Sequence, residues 1–113
     1  MTVQESRQLL IQVQDGDECL VRLVGELDVY TEDELRATMQ DLLARRPGDI
    51  VLDLSDLGFT DLRGLRAILW SSRLVNEHDQ AMWIVGASRL IRKILARTGD
   101  DKSLKLYPSR LAT

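Results

Sequence analysis

Reactive side chains are scarce in this chain of 113 residues, which has one cysteine, Cys19, and one histidine, His78. A disulfide framework needs a second thiol, and a zinc cluster or a c-type haem attachment needs more Cys and His than this, so all three are excluded by arithmetic. Long apolar runs are missing too. No stretch approaches the roughly 18 to 20 apolar residues of a membrane span. Residues 1–6 are polar and the first apolar run, 9–11, is too short for a signal-peptide core, so the expected compartment is the reduced cytoplasm. Gly25, Gly58, Gly64 and Gly86 are scattered, and neither a phosphate-cradling loop nor a dinucleotide fingerprint can be built from them. No excess of positive charge exists: 15 basic against 18 acidic residues give a formal charge of -3. A global field able to hold nucleic acid or anionic lipid is therefore absent, and neither is expected as a partner. Lysine is the last shortage, with three against twelve arginines, so fixed planar cations dominate over titratable amines.

What remains is 44% hydrophobic and 29% charged, which suits one domain over residues 1–113 with its core at about 8–107, burying roughly two thirds of its unfolded surface. Leu9, Ile11 and Val13 alternate with Leu10, Gln12 and Gln14, and alternation resumes from Cys19 to Leu27 after an Asp15-Gly16 turn. Period two on both sides of such a turn predicts a β-hairpin. Thr31 and Glu34 have the spacing of a capping box, and Leu35, Met39, Leu42 and Leu43 then recur at helical spacing until Pro47-Gly48. Residues 50–54 read as a buried strand followed by a loop. A second helix starts at Asp61, placed as N-cap or first-turn anion, and ends near 76–80. Residues 81–85 form another buried strand closed by Gly86. Ser88 caps a third helix carrying Leu90, Ile91, Ile94 and Leu95, with Gly99 as its C-cap, and Leu104, Leu106 and Tyr107 suffice for a last strand. The order is β-β-α-β-α-β-α-β, an α/β fold whose mixed sheet opens with a hairpin and becomes parallel, covered by helices joined through right-handed crossovers.

Candidate chemistry is thin. His78 lies in a polar helix end, where a solvated residue suits the dipole. Cys19 reads as a small core residue. Asp53 and Asp61 are candidates for paired acid/base carboxylates or Mg²⁺ ligands, against structural roles for both, Asp53 bonding loop amides and Asp61 capping a helix. The most informative feature is a row at +3, +4 and +3 spacing, Arg63, Arg66, Trp70 and Arg73, on the second helix's face away from its apolar stripe. It is either a solvated face with Trp70 half covered by arginine stems, or a protein-binding patch, since Trp and Arg are enriched at interface hot spots.

Three segments carry a resemblance. Gly25-Glu26-Leu27-Asp28 followed by Thr31, then Leu52-Asp53-Leu54-Ser55 with Phe59-Thr60-Asp61 and Gly64-Leu65, then Gly86 with Leu95-Ala96-Arg97-Thr98-Gly99, resemble in order the motifs of the STAS domain of bacterial anti-sigma factor antagonists. The match spans nearly the whole chain. The resemblance implies a STAS-like single domain, a switch protein with no enzymatic activity and no cofactor or metal, acting as a monomer or weak homodimer. Its expected partner is a kinase-like anti-sigma factor, from which it frees a sigma factor. In the family that partner phosphorylates a Ser or Thr directly after the loop aspartate, and here the aspartate is Asp61 and the next residue Leu62.

The phospho-acceptor is therefore expected to be absent, with Thr60 as a weak substitute, and the switch is expected not to run by phosphorylation at that position. With the arginine and tryptophan row added to the family's helix start, partner binding is expected on Glu26, Asp28, Asp61, Leu62, Arg63, Gly64, Arg66, Trp70 and Arg73. Arg63 and Arg66 stand where the family often has a small hydroxyl residue and a glycine, which makes this helix start bulkier and more positive. A second hypothesis is a STAS subunit of a stress-signalling or lipid-transport assembly docked on a partner ATPase. A third is a small hydrolase using Asp53 and Asp61.

Overall fold

The computed structural model describes residues 2–5, 8–45, 48–97 and 105–107. The elements in chain order are β1 (Thr2–Glu5), β2 (Leu9–Gln14), β3 (Cys19–Leu27), α1 (Glu32–Arg45), β4 (Ile50–Thr60), α2 (Leu62–Glu77), β5 (Met82–Val85), α3 (Arg89–Arg97) and β6 (Lys105–Tyr107). They form one six-stranded sheet in the order β1-β2-β3-β4-β5-β6. The first three strands are antiparallel to one another in sequence, and β3 to β6 are parallel. Sequential parallel order with right-handed crossovers puts α1, α2 and α3 on the same face of the sheet.

The alternation read in the hairpin decides which face that is. Leu9, Ile11 and Val13 of β2 are buried, Ile11 and Val13 registering against Leu23 and Val21 of β3, and Val21 sits beside Leu52 and, across the sheet, Ile84. Paired residues point to the same side of a sheet. Under them pack Leu35, Met39, Leu42 and Leu43 of α1, Leu65, Ile68 and Val75 of α2, and Ile91 and Leu95 of α3. The opposite face is more polar, with Arg22 paired to Asp56 and Lys105 lying 4.9 Å from the Trp83 ring centre. Cys19 is 3% exposed, in the core as its position in a strand implied.

Three local expectations need correction. Residues 2–5 form an edge strand on β2, although their polar sequence predicts nothing of the kind. The loop expected after residue 54 is absent, since β4 continues to Thr60. Its partner β5 stops at Asp53↔Val85, and beyond that point β4 pairs, among the described residues, with β3 alone, through two register shifts at Arg22/Val24 and Gly25/Glu26. Each shift is one extra residue on β4, a bulge that bends the strand and re-aims the residues after it. Asp53 serves the first of them, its Oδ1 accepting from the Ser55 N–H at 2.9 Å and the Ser55 hydroxyl at 2.6 Å.

The capping box on α1 does not form. The Thr31 hydroxyl turns back instead, accepting from the Asp28 N–H at 2.9 Å and donating to the Glu26 carbonyl at 2.9 Å, while the buried Glu34 Oε2 has no hydrogen-bond partner. The last strand is described over Lys105–Tyr107, and Leu104 and the C-cap assigned to Gly99 lie outside the described residues. Two caps stand as read: Asp61 on α2, and Ser88 on α3 through its hydroxyl and the Ile91 N–H at 3.1 Å.

Two glycines set close approaches. Gly25 has φ +112 and a Cβ there would fall against the Gln8 carbonyl, so the close approach of β3 to Gln8 requires a glycine at this position. Gly64, in the first turn of α2, lies so close to the Leu27 carbonyl and the Thr60 hydroxyl that a Cβ would collide with both. Replacing Gly64 by Ala should therefore destabilise the protein by about 1 to 3 kcal/mol even though alanine is the better helix former. Urea unfolding checks this: a lower midpoint at constant slope is expected, and an unchanged or higher midpoint would show that α2 is not seated on β3.

Candidate functional site

The carboxyl ends of β3 and β4 arrive together, Glu26 opposite Phe59 and Leu27 opposite Thr60, and both chains then turn into helices. On the β3 side a short turn leads to α1. Asp28, 9% exposed, holds that turn: its Oδ1 accepts from the Tyr30 N–H at 2.9 Å, and the Thr31 hydroxyl closes it onto Glu26. On the β4 side Asp61 adopts extended backbone at φ -104 and accepts from the Gly64 N–H at 2.9 Å, satisfying one of the amides that a helix start leaves open. The two turns are tied by the Asp61 N–H on the Leu27 carbonyl at 3.4 Å.

Among what this frame displays to solvent are several large apolar side chains. Leu62 is 56% exposed at the first position of α2, Phe59 51%, Val29 44% and Tyr30 80%. Large apolar side chains held out at the same end of the sheet have no folding reason to be there, and an exposed apolar cluster rimmed by polar residues is a feature of interaction sites. Val29, Tyr30 and Phe59 were not among the expected site residues. A signal was available: Val29-Tyr30 interrupts an otherwise polar turn, and Phe59 is the only phenylalanine in the chain.

The expected row of cations does not stay together. Arg63 leaves it to form a two-pronged hydrogen bond with Glu32 of α1, Nε at 3.0 Å and Nη2 at 2.6 Å from the same oxygen. The Glu32 side chain is 6% exposed and also faces Arg36 at 3.4 Å. The Arg63 hydrogen bond, with a smaller contribution from Arg36, holds the Glu32 carboxyl below the usual carboxylate range against the opposing effect of burial. Arg36 in turn lies 5.1 Å from the Trp70 ring centre, so Arg63, Glu32, Arg36 and Trp70 form one chain of contacts across α1 and α2. Trp70 is half covered by an arginine, as one reading of the row had it, but the arginine belongs to α1.

Arg66 and Arg73 remain exposed along α2 and, with Arg36, border an open groove of about 540 Å³ whose apolar wall includes Leu65, Leu69 and Ile94. Gly64 is buried beneath the first turn, and Glu26 is exposed at the end of β3. Thr60 is half-buried, its hydroxyl donating to the Asp61 carbonyl at 3.3 Å.

The hydrolase arrangement fails on distance: the seven residues between Asp53 and Asp61 belong to extended β4, which even with its two bulges holds the two carboxylates on the order of 20 Å apart along the strand. Each is also occupied, Asp53 by Ser55 and Asp61 by Gly64. Among the described residues no group of three or more His, Cys, Asp or Glu is placed to hold a metal ion, and no helix is long and apolar enough to cross a membrane. His78 is exposed at the end of α2 with Nδ1 2.9 Å from the Leu74 carbonyl, a helix-end contact.

Comparison with known proteins agrees with this geometry. The STAS domain model matches residues 8–111. An anti-sigma F factor antagonist of Paenibacillus polymyxa is 33% identical over 93 residues, 81% of this chain and 80% of that protein. An anti-sigma-B factor antagonist of Staphylococcus aureus is 30% identical over 79 residues, covering 70% of this chain and 73% of its own. The crystal structure of an anti-sigma factor antagonist from Mycobacterium paratuberculosis superposes with a TM-score of 0.79 at 25% identity, over 92% of this chain and 89% of that one.

The Glu32 contacts make a pH prediction. A carboxyl whose pKa is lower folded than unfolded stabilises the protein above its unfolded pKa and loses that contribution as pH falls through the folded value. The contribution of Glu32 should thus be complete at about pH 6 and decay as pH falls below the ordinary carboxyl value of 4.5. Thermal melts of the wild type and Glu32→Gln should lie furthest apart near pH 6 and draw together as the pH is lowered through the carboxylate range. A difference that stays constant over that range would mean that Glu32 is not held by charge.

Proposed function

The chain belongs to the STAS domain family, and on that premise we propose that it is a regulatory binding protein of the anti-sigma factor antagonist kind, taking a kinase-like anti-sigma factor at the carboxyl ends of β3 and β4 and thereby freeing a sigma factor. It works by occupancy and not by turnover. The observation that carries this reading is Leu62: a 56% exposed apolar side chain at the first position of α2, directly after the capping Asp61 and at the same end of the sheet as the exposed Phe59 and Tyr30. A protein surface that must be regulated by charge at this point would need a hydroxyl there. Leucine offers none.

The physical consequence lies in what a phosphoryl group does. On a side chain at a helix N-terminus it adds about two negative charges to the docking surface and remakes the contact. With Leu62 in that position the partner meets an apolar side chain whose character no kinase alters, so the complex persists in the presence of ATP. Thr60 does not replace the acceptor, because its half-buried hydroxyl is engaged with the Asp61 carbonyl. Regulation then falls to the abundance of the partner or of this protein. Of the residues expected at the contact, Glu26 and Leu62 meet the partner, joined by the exposed Tyr30 and Phe59. Asp28, Asp61 and Gly64 shape the surface from below, and Arg63 holds α1 against α2. The reduced cytoplasm, where a buried free thiol such as Cys19 is stable, is its place.

Two variants test the reading with a kinase-like anti-sigma factor of the same host. Leu62→Glu should weaken the complex at least tenfold, about 1.4 kcal/mol, by setting a fixed charge at the contact. Leu62→Ser should accept phosphate when incubated with the anti-sigma factor and MgATP, visible as an intact-mass shift, while the native protein gains none. Stoichiometric phosphate on the native protein, or a Leu62→Glu variant that binds as well as the native one, would overturn the proposal.

A further inference from the structure

The sheet has two faces, and the helices take only one of them. They pack on the side that carries Ile11, Val21, Leu52 and Ile84, and no described helix or strand packs on the other. Parallel strands are almost always covered on both faces, so the bare side of β3 to β6 is an unusual surface for water to meet. Its composition bears this out. Leu20, Val51 and Trp83 stand in one cross-strand row, ending at Lys105 on β6. Val51 and, in the next row, Val85 are 4% and 2% exposed, yet neither belongs to the core that the helices cover. Leu20 and Trp83 beside them are half-buried, as are Leu10 and Val24, which pair with each other further along the same face. An apolar patch therefore runs across several strands on the side that the fold leaves open.

Charge and area select the occupant. Arg22 is paired with Asp56 and stands opposite Asp53 in the register, and Lys105 lies over the Trp83 ring. Two cations and two carboxylates, among the described side chains, leave these rows without net charge on a chain whose total is -3. A strongly acidic or basic partner gains nothing from such a face. A second copy meets the same mixture of signs there and avoids the repulsion that two copies of this chain feel elsewhere. From β2 to β6, over about five residues of each strand, the face measures about 24 Å by 16 Å, on the order of 400 Å² for each copy. Twice that area falls short of the roughly 1,200 Å² of a stable interface and suits a transient one. We propose that two copies of this chain associate face to face through these rows, Leu20, Val51 and Trp83 of one copy against the same row of the other, as a weak dimer that forms at high concentration. Sheets stacked in this way lie about 10 Å apart with their strands nearly aligned. The row lies toward the amino ends of β4 and β5, whereas Leu62 and the two strand-end turns lie at the carboxyl ends, so the dimer presents two free copies of that surface. The assignment does not rest on the contact with an anti-sigma factor.

Sedimentation velocity and ¹⁵N amide spectra of the full chain, from about 20 μM to about 1 mM, test this without any partner protein. The expected result is a weight-average mass that rises from one chain toward two, with shifts that grow with concentration at Leu20, Val51 and Trp83. Leu20→Lys sets like charges from the two copies against each other and should weaken association at least tenfold. Leu90→Lys, at a 65% exposed position on α3, should leave it unchanged. An amide spectrum of Leu20→Lys that matches the native one away from β3 verifies its fold. Trp83→Ser, which removes the largest side chain of the row, carries the same expectation if Leu20→Lys does not fold. A one-chain mass at the highest concentration overturns the proposal, as does a folded Leu20→Lys or Trp83→Ser variant that associates like the native protein. Shifts that fall at Phe59 and Leu62, or along β1, also overturn it, assigning self-association to the strand ends or to the sheet edge.

Discussion

The first turn of α2 rests on the carbonyl of Leu27, and it can do so only because residue 64 has no side chain. Most of the functional geometry depends on that contact. It lets Asp61 cap the helix while its own N–H reaches β3, it brings the two strand-end turns together, and it sets α2 close enough to α1 for Arg63 to reach Glu32, 31 residues away in sequence. The Glu32 carboxylate then joins Arg63 to Arg36, and Arg36 covers Trp70. A buried carboxylate is costly unless its oxygens are hydrogen-bonded. Here both arginines offset that cost, and the first turn of α1 becomes a fixed point against which α2 is oriented.

Two surfaces of different character arise from this one seating. At the strand ends, apolar side chains that the core does not take, Tyr30, Phe59 and Leu62, are presented on a scaffold of hydrogen-bonded turns. Along the outer side of α2 the arginines that Glu32 does not fully engage border an apolar groove. The first surface suits a partner with an apolar patch of its own. Leu62 lines both.

How much of this was legible depends on the range of each interaction. The alternation of Leu9, Ile11 and Val13 and the helical spacing of Leu35, Met39, Leu42 and Leu43 report burial directly, because side-chain periodicity is the imprint of a packed face. Caps such as Asp61 and Ser88 act over three residues and were equally readable. The edge strand at residues 2–5 was not, since its sequence carries no apolar pattern. The tail of β4 was not either: its polar residues and Gly58 signal a loop, and only pairing with β3 through two bulges keeps it extended. Thr31 misled for a related reason, its hydroxyl being drawn to Asp28 and Glu26 before the helix could use it. The row of Arg63, Arg66, Trp70 and Arg73 was correct as a face and wrong as a unit, because Glu32 and Arg36, which divide it, lie on another helix. The exposed apolar cluster required the fold itself, since its members come from the ends of two strands.

On the proposed function, an apolar residue after the capping Asp61 makes partner binding indifferent to the kinase activity that such partners carry. The most direct test is the dissociation constant of the complex with a kinase-like anti-sigma factor, measured by calorimetry on protein recovered after prolonged incubation with that factor and MgATP, and on untreated protein. The expected result is the same constant for both. A constant raised tenfold or more by the incubation would contradict it.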